Sequence, residues 1–105
     1  MSTNDPPGAQ VRLEVQIARP PTRKCREVLA VMEEAVGRFP GQARLVVYER
    51  GAPWSERPTT GFRTAAKFTR VPKSFVNGRL LAFGEVPALV DVLTAIREEL
   101  SGRLG

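Results

Sequence analysis

The sequence predicts an α/β domain, a mixed four-stranded sheet with helices on both faces, in the order β-α-β-(α)-β-β-α. Three observations carry this expectation. The alternating run Val11-Arg-Leu13-Glu-Val15-Gln-Ile17 leads into a helical pattern and then a second β-rich run at 43–49. Two strands joined by a helix of that length form a parallel pair with a right-handed crossover. Asn77-Gly78 then separates two short apolar runs, and this dipeptide is the strongest short-range hairpin signal because it accepts the positive φ angles of a tight turn.

Each element has its own reason. Residues 11–17 alternate apolar and polar, the mark of a strand with one buried face. Pro20-Pro21 ends it. Thr22 is a good helix N-cap, and Cys25, Val28, Leu29, Met32, Val36 and Phe39 recur at helical spacing before Gly37 and Pro40-Gly41 stop the helix. Ala43–Glu49 is rich in β-formers. Residues 50–61 hold two prolines and two glycines and read as a loop, with a short helix expected from Phe62 to Phe68. Lys73–Val76 and Arg79–Phe83 flank the Asn77-Gly78 turn. Pro87 opens the last helix, where Leu89, Val92, Leu93, Ile96 and Leu100 share a face, and Gly102 is expected to close it.

Length and composition restrict the function classes. A chain of 105 residues has room for one core, so residues 11–105 form one expected domain behind a flexible tail at 1–10. No apolar run approaches the ~18 residues of a membrane span. The first ten residues lack the basic start and apolar centre of a secretory signal. A cytoplasmic protein without membrane contact is therefore expected. A single cysteine excludes a disulfide scaffold and fits a reducing compartment.

The net charge is +5, from thirteen arginines and three lysines against eleven acids, with no histidine. The basic residues run evenly from Arg12 to Arg103 without forming a block, and no aromatics interleave with them. Nucleic acid is therefore not an expected partner. One cysteine without histidine gives too few ligands for a metal, and no cofactor is implied.

The remaining signal is the stretch Arg19-Pro20-Pro21-Thr22-Arg23-Lys24-Cys25, with Val71-Pro72 ahead of the hairpin. Over residues 11–101 this layout resembles the thioredoxin-like fold family, and within it the small bacterial and archaeal redox-disulfide proteins. Thr22-Arg23-Lys24-Cys25 stands where that family carries C-x-x-C, Cys25 matching the second cysteine and Thr22 replacing the first. Val71-Pro72 matches the family's cis-proline pair. The segment from Val71 to Pro87 follows its pattern of proline, apolar strand, Gly turn, apolar strand, Gly and Val-Pro. The resemblance implies a cis bond before Pro72 and a peptide-facing surface made by Thr22, Arg23, Lys24, Val71 and Pro72.

The replacement at Thr22 changes the expected chemistry. In such dithiol sites the first thiolate attacks and the second resolves the mixed disulfide. A threonine hydroxyl forms no disulfide, so dithiol reductase activity is expected to be absent. Cys25 then has two open readings. It is a buried structural residue in line with Val28, Leu29 and Met32, so that Cys25→Ser costs about 1–3 kcal/mol and Cys25→Ala less. Alternatively it is a lone catalytic or sensing thiol, its pKa lowered by Arg23, Lys24, Arg26 and the helix N-terminus, forming mixed disulfides with glutathione. The first reading makes the chain a binding or regulatory module for a protein or peptide partner, and the second a monothiol redox protein. Trp54 and Tyr48 either present a recognition surface beside the long loop or cover a core edge.

Overall fold

The computed structural model describes residues 11–104; the tail expected at 1–10 lies outside them. Strand β1 (Val11–Ile17) pairs in parallel with β2 (Ala43–Glu49), in register from Val11 opposite Ala43 to Ile17 opposite Glu49. On its other side β1 is antiparallel to β3 (Lys73–Val76), which in turn is antiparallel to β4 (Arg79–Phe83) with an irregularity at Ser74/Phe75. The sheet order is β2-β1-β3-β4. Together with three helices this is the mixed α/β arrangement that the alternation and the hairpin predict, and it is compatible with the thioredoxin-like order that the resemblance implies.

Helix α1 (Arg23–Gly37) turns Cys25, Val28, Met32 and Ala35 inward, and α3 (Leu89–Leu104) contributes Val92, Leu93, Ala95 and Ile96. Both pack on the sheet face built from Val11, Leu13, Val15, Ile17 and Val76, which forms the larger core. Helix α2 (Thr60–Ala65) covers the opposite face, where Phe62 meets Val46, Tyr48 and Phe75. The Phe62 ring lies 4.4 Å from Tyr48 and 5.2 Å from Phe75 between centroids, within the range where aromatic pairs add to simple burial.

The polar positions of β1 depart from expectation. A strand with one buried face would leave Arg12, Glu14 and Gln16 wet, yet Glu14 is fully buried and Gln16 nearly so. The reason is position: β1 is flanked by strands on both edges and covered on both faces. Helix boundaries also move. The short helix spans Thr60–Ala65 and not 62–68, because the Thr59 hydroxyl accepts from Phe62 N–H at 3.3 Å and caps it two residues earlier. Gly102 does not end the last helix, which runs to Leu104; a glycine costs only ~1 kcal/mol within a helix. That helix begins two residues after Pro87, with the Ala88 carbonyl accepting from Val92 N–H. None of the described helices is long and apolar enough to cross a membrane.

The hairpin turn is pinned from three directions. Asn77 and Gly78 both have positive φ (46° and 82°). Asn77 exchanges hydrogen bonds with Arg12 through its backbone N–H and its side-chain Oδ1, and its Nδ2 donates to Glu99 at 2.8 Å. Helix α2 meets the same turn so closely that a Cβ on Gly61 would stand 1.8 Å from the Gly78 carbonyl oxygen. Gly61→Ala therefore forces backbone apart. It should cost about 1–3 kcal/mol in a denaturant titration, whereas Gly37→Ala, where a Cβ meets nothing within 4 Å, should not destabilise the chain.

Candidate functional site

The Thr22–Cys25 turn is built by a cap. Thr22 has extended backbone angles, its carbonyl accepts from Arg26 N–H at 3.0 Å, and its hydroxyl accepts from Cys25 N–H at 3.1 Å. The same hydroxyl donates to Cys25 Sγ, also at 3.1 Å. Thr22 is thus joined to Cys25 at backbone and side chain together. Because χ1 must aim the hydroxyl into the first turn to cap it, the residue 22 side chain also points at the sulfur.

Cys25 itself is fully buried, and its Sγ accepts a second hydrogen bond from Ala18 N–H at 3.4 Å. Burial opposes ionisation of the thiol. Hydrogen bonds from Ala18 N–H and from Thr22, with the charge of Arg26, outweigh it and hold the thiol below its ordinary value. The sulfur therefore sits in a polar niche within an apolar face, which changes the expectation from the helical stripe alone. Serine at 25 keeps an acceptor toward Ala18 and Thr22; alanine leaves a buried N–H unpaired.

The other expected residues divide. The Val71–Pro72 bond is cis, as is Arg19–Pro20. Pro72 is buried, Val71 packs against the larger core, and the Pro72 carbonyl accepts from Gly84 N–H at 2.7 Å. Exposed Lys24 donates to the Gly84 carbonyl at 3.3 Å, so Gly84 connects the first turn of α1 to the Pro72 turn. Arg23 is not brought in; its exposed side chain pairs with Glu27 one turn along the helix at 3.4 Å. Arg19 pairs with Glu49 at 3.8 Å.

On the opposite face lies a buried polar assembly that reading the strands as one-faced missed. Glu14 accepts from Tyr48 Oη at 2.7 Å and from Thr59 N–H at 3.0 Å, and also from the Thr59 hydroxyl. Arg12 stands 3.4 Å from the Glu14 carboxylate and donates to Tyr48 Oη and the Arg57 carbonyl. Burial, with the Glu14 charge, raises the Tyr48 phenol above its ordinary range. Lys73, also fully buried, donates to the Ala65 and Phe68 carbonyls at the end of α2, and burial with the nearby Arg50 charge lowers its pKa. The available signal was a carboxylate and a lysine in the middle of a sheet. Tyr48 belongs to the covered core edge and Trp54 lies half-exposed, edge-on to Phe62 at 6.1 Å.

Among the described residues no three His, Cys, Asp or Glu side chains are grouped to hold a metal ion. No protein-family model matches the chain, and no curated protein matches it.

Two outcomes follow for Cys25. Cys25→Ala should lose about 1–3 kcal/mol, the cost of an orphaned buried donor, and Cys25→Ser less, read from paired thermal melts. The thiol also gives stability a pH dependence. Its folded pKa lies below the ordinary thiol value of 9.0, so the folded state binds fewer protons between the two values. The contribution is complete above 9.0 and is lost as pH falls through the folded pKa. Lys73 contributes with the same sign, so the quantity to measure is the difference between wild type and Cys25→Ala, which should grow with pH across that window.

Proposed function

We propose that this chain is a member of the thioredoxin-like fold family whose dithiol site is degenerate, acting in the cytoplasm as a binding or regulatory module. The surface around Thr22, Lys24 and Pro72 engages a protein or peptide partner, and the chain has no disulfide reductase activity. The observation that carries this reading is the Thr22–Cys25 pair. The nucleophile's position holds a hydroxyl that caps the helix, and the chain's single thiol is buried beneath it. A hydroxyl in that place keeps the structural half of a dithiol turn and removes the half that begins exchange.

A second reading rests on the depressed pKa of Cys25. A thiol that ionises early is the working species of a monothiol protein, with glutathione as the natural small partner. Full burial of the sulfur counts against it, because exchange needs in-line access.

One pair of measurements separates the two. The binding module labels with a thiol reagent only as fast as the fold opens, so added denaturant should accelerate labelling steeply; fast labelling in native buffer would favour the monothiol protein. Wild-type protein should show no insulin reduction above a Cys25→Ala control. Thr22→Cys should create a redox-active pair, since the residue 22 side chain already ends 3.1 Å from Sγ. An absence of any disulfide in oxidised Thr22→Cys would count against the degenerate-site reading.

A further inference from the structure

Six of the thirteen arginines in this chain are held in ion pairs. Arg12, Arg19, Arg23, Arg38, Arg44 and Arg79 each have a carboxylate partner within 4.0 Å. Of the exposed cations without an acidic partner among the described residues, Arg26 lies on the Pro21 carbonyl and Arg97 over the Phe39 ring, while four others converge on one place. Lys24 lies on the Gly84 carbonyl, Arg50 on the Thr69 carbonyl, Lys67 over the Phe68 ring at 5.4 Å and Arg70 over the Phe83 ring at 5.6 Å. The Arg70 stem also rests on Gly84, where a Cβ would meet its Cδ at 2.3 Å. Glu85 is the carboxylate next to this group in sequence, and among the described residues it is not within ion-pair distance of any of these cations.

The same place is apolar. Phe68 is 52% exposed, and its ring meets Phe83 edge-on with centroids 6.0 Å apart. Phe83 ends β4, the edge strand of the sheet. Between Arg79 and Gly84 that strand reads Leu80-Leu81-Ala82-Phe83, and Leu80 is 50% exposed. Beyond Arg79 at its start, this edge strand carries no charge or proline, and such an apolar edge is a template for a further strand.

We infer that an acidic, extended segment of a partner polypeptide docks along the outer edge of β4 at its Phe83 end. Its carboxylates meet Lys24, Arg50, Lys67 and Arg70, and its apolar side chains cover Phe68 and Leu80. This rests on the binding-module reading and names the chemistry of its partner. Backbone pairing along β4 holds the segment extended, and the unpaired cations select its charge. A single-stranded nucleic acid fits less well, because stacking needs open ring faces and here a cation lies over each ring. A second copy of the chain would bring its own charge of +5 to a cationic patch.

The test uses a fluorescein-labelled peptide alternating Glu with Leu, a Lys-Leu counterpart and single-stranded oligothymidylate, read by fluorescence anisotropy on the whole chain. The Glu-Leu peptide should bind, weaken with added salt and lose about tenfold or more in affinity for the double variant Lys67→Glu/Arg70→Glu. Phe68→Ser, with the charges kept, should weaken it as well, and circular dichroism should show both variants folded. Oligothymidylate binding as tight as the peptide's, equal binding of the Lys-Leu peptide, or self-association in sedimentation that Leu80→Lys abolishes would each overturn the assignment. Thr22→Trp, which also removes the α1 cap and is therefore checked for folding by the same circular dichroism, separates this inference from the reading beneath it. Peptide binding that falls with Thr22→Trp but ignores the double variant overturns the β4 patch and leaves the binding module standing. No peptide binding combined with rapid Cys25 labelling overturns both.

Discussion

The buried carboxylate of Glu14 is the constraint on which the exposed parts of this molecule depend. A charge taken out of water is tolerated only when its lone pairs are filled, and removing one partner of such a group costs more than the pair itself contributes. Glu14 is filled by Tyr48 from the neighbouring strand, by Thr59 N–H and hydroxyl, and by Arg12 beside it. Thr59 is also the N-cap of α2. The carboxylate therefore sets where α2 begins, and Gly61 in its first turn sits against the hairpin. At the other end of α2 the last carbonyls fall on Lys73 Nζ, one residue after Pro72. The path from a buried acid to the Pro72 turn is a run of short, directional contacts with no long flexible step.

The two faces of the sheet thus carry different physics. The face under α1 and α3 is almost wholly apolar, and the Cys25 thiol sits in it where Ala18 N–H would otherwise lack an acceptor. The face under α2 is held by charge and hydrogen bonds around a small aromatic group. Apolar packing tolerates volume-conserving change, while a filled polar network tolerates little. Variation at Thr22 is therefore compatible with the fold so long as the new residue caps α1, as serine, asparagine and aspartate do at least as well as threonine. A dithiol site can lose its first sulfur with little loss of structure.

Much of this was legible in the chain itself, for identifiable reasons. The alternation at Val11–Ile17, the Asn77-Gly78 turn and the Thr22 cap are local signals, and each found its element. The cis bond at Pro72 follows from a resemblance of layout, not from any local rule. What escaped was non-local. Glu14 and Gln16 look like the wet side of a strand until the strand is known to be central and doubly covered. Lys73 looks like a surface lysine until the α2 carbonyls arrive over it. The start of α2 was misread because Thr59-Thr60-Gly61 looks like loop, and only the close approach to Gly78 explains a glycine in the first turn of a helix. Gly102 was overweighted as a stop, since a glycine near a helix end is a weak signal when the preceding turns are well packed.

The charge pattern shows the same limit. Along the sequence the arginines look evenly spread, and no aromatics interleave with the basic residues. In space they sort: six of the thirteen pair with carboxylates on neighbouring turns and strands, and among the cations without such a partner one group gathers beside Phe68 and Phe83. The even spacing in sequence conceals this because pairing depends on strand register and on where α2 ends. Lys67-Phe68 and Arg70 acquire a common surface with Phe83 only because Lys73 draws the end of α2 down onto β3, next to β4. The buried lysine gives up its solvation to the helix carbonyls, and the segment it anchors turns its own cations outward. An exposed cationic and aromatic surface at the edge of the sheet is thus a consequence of a charge buried at its centre.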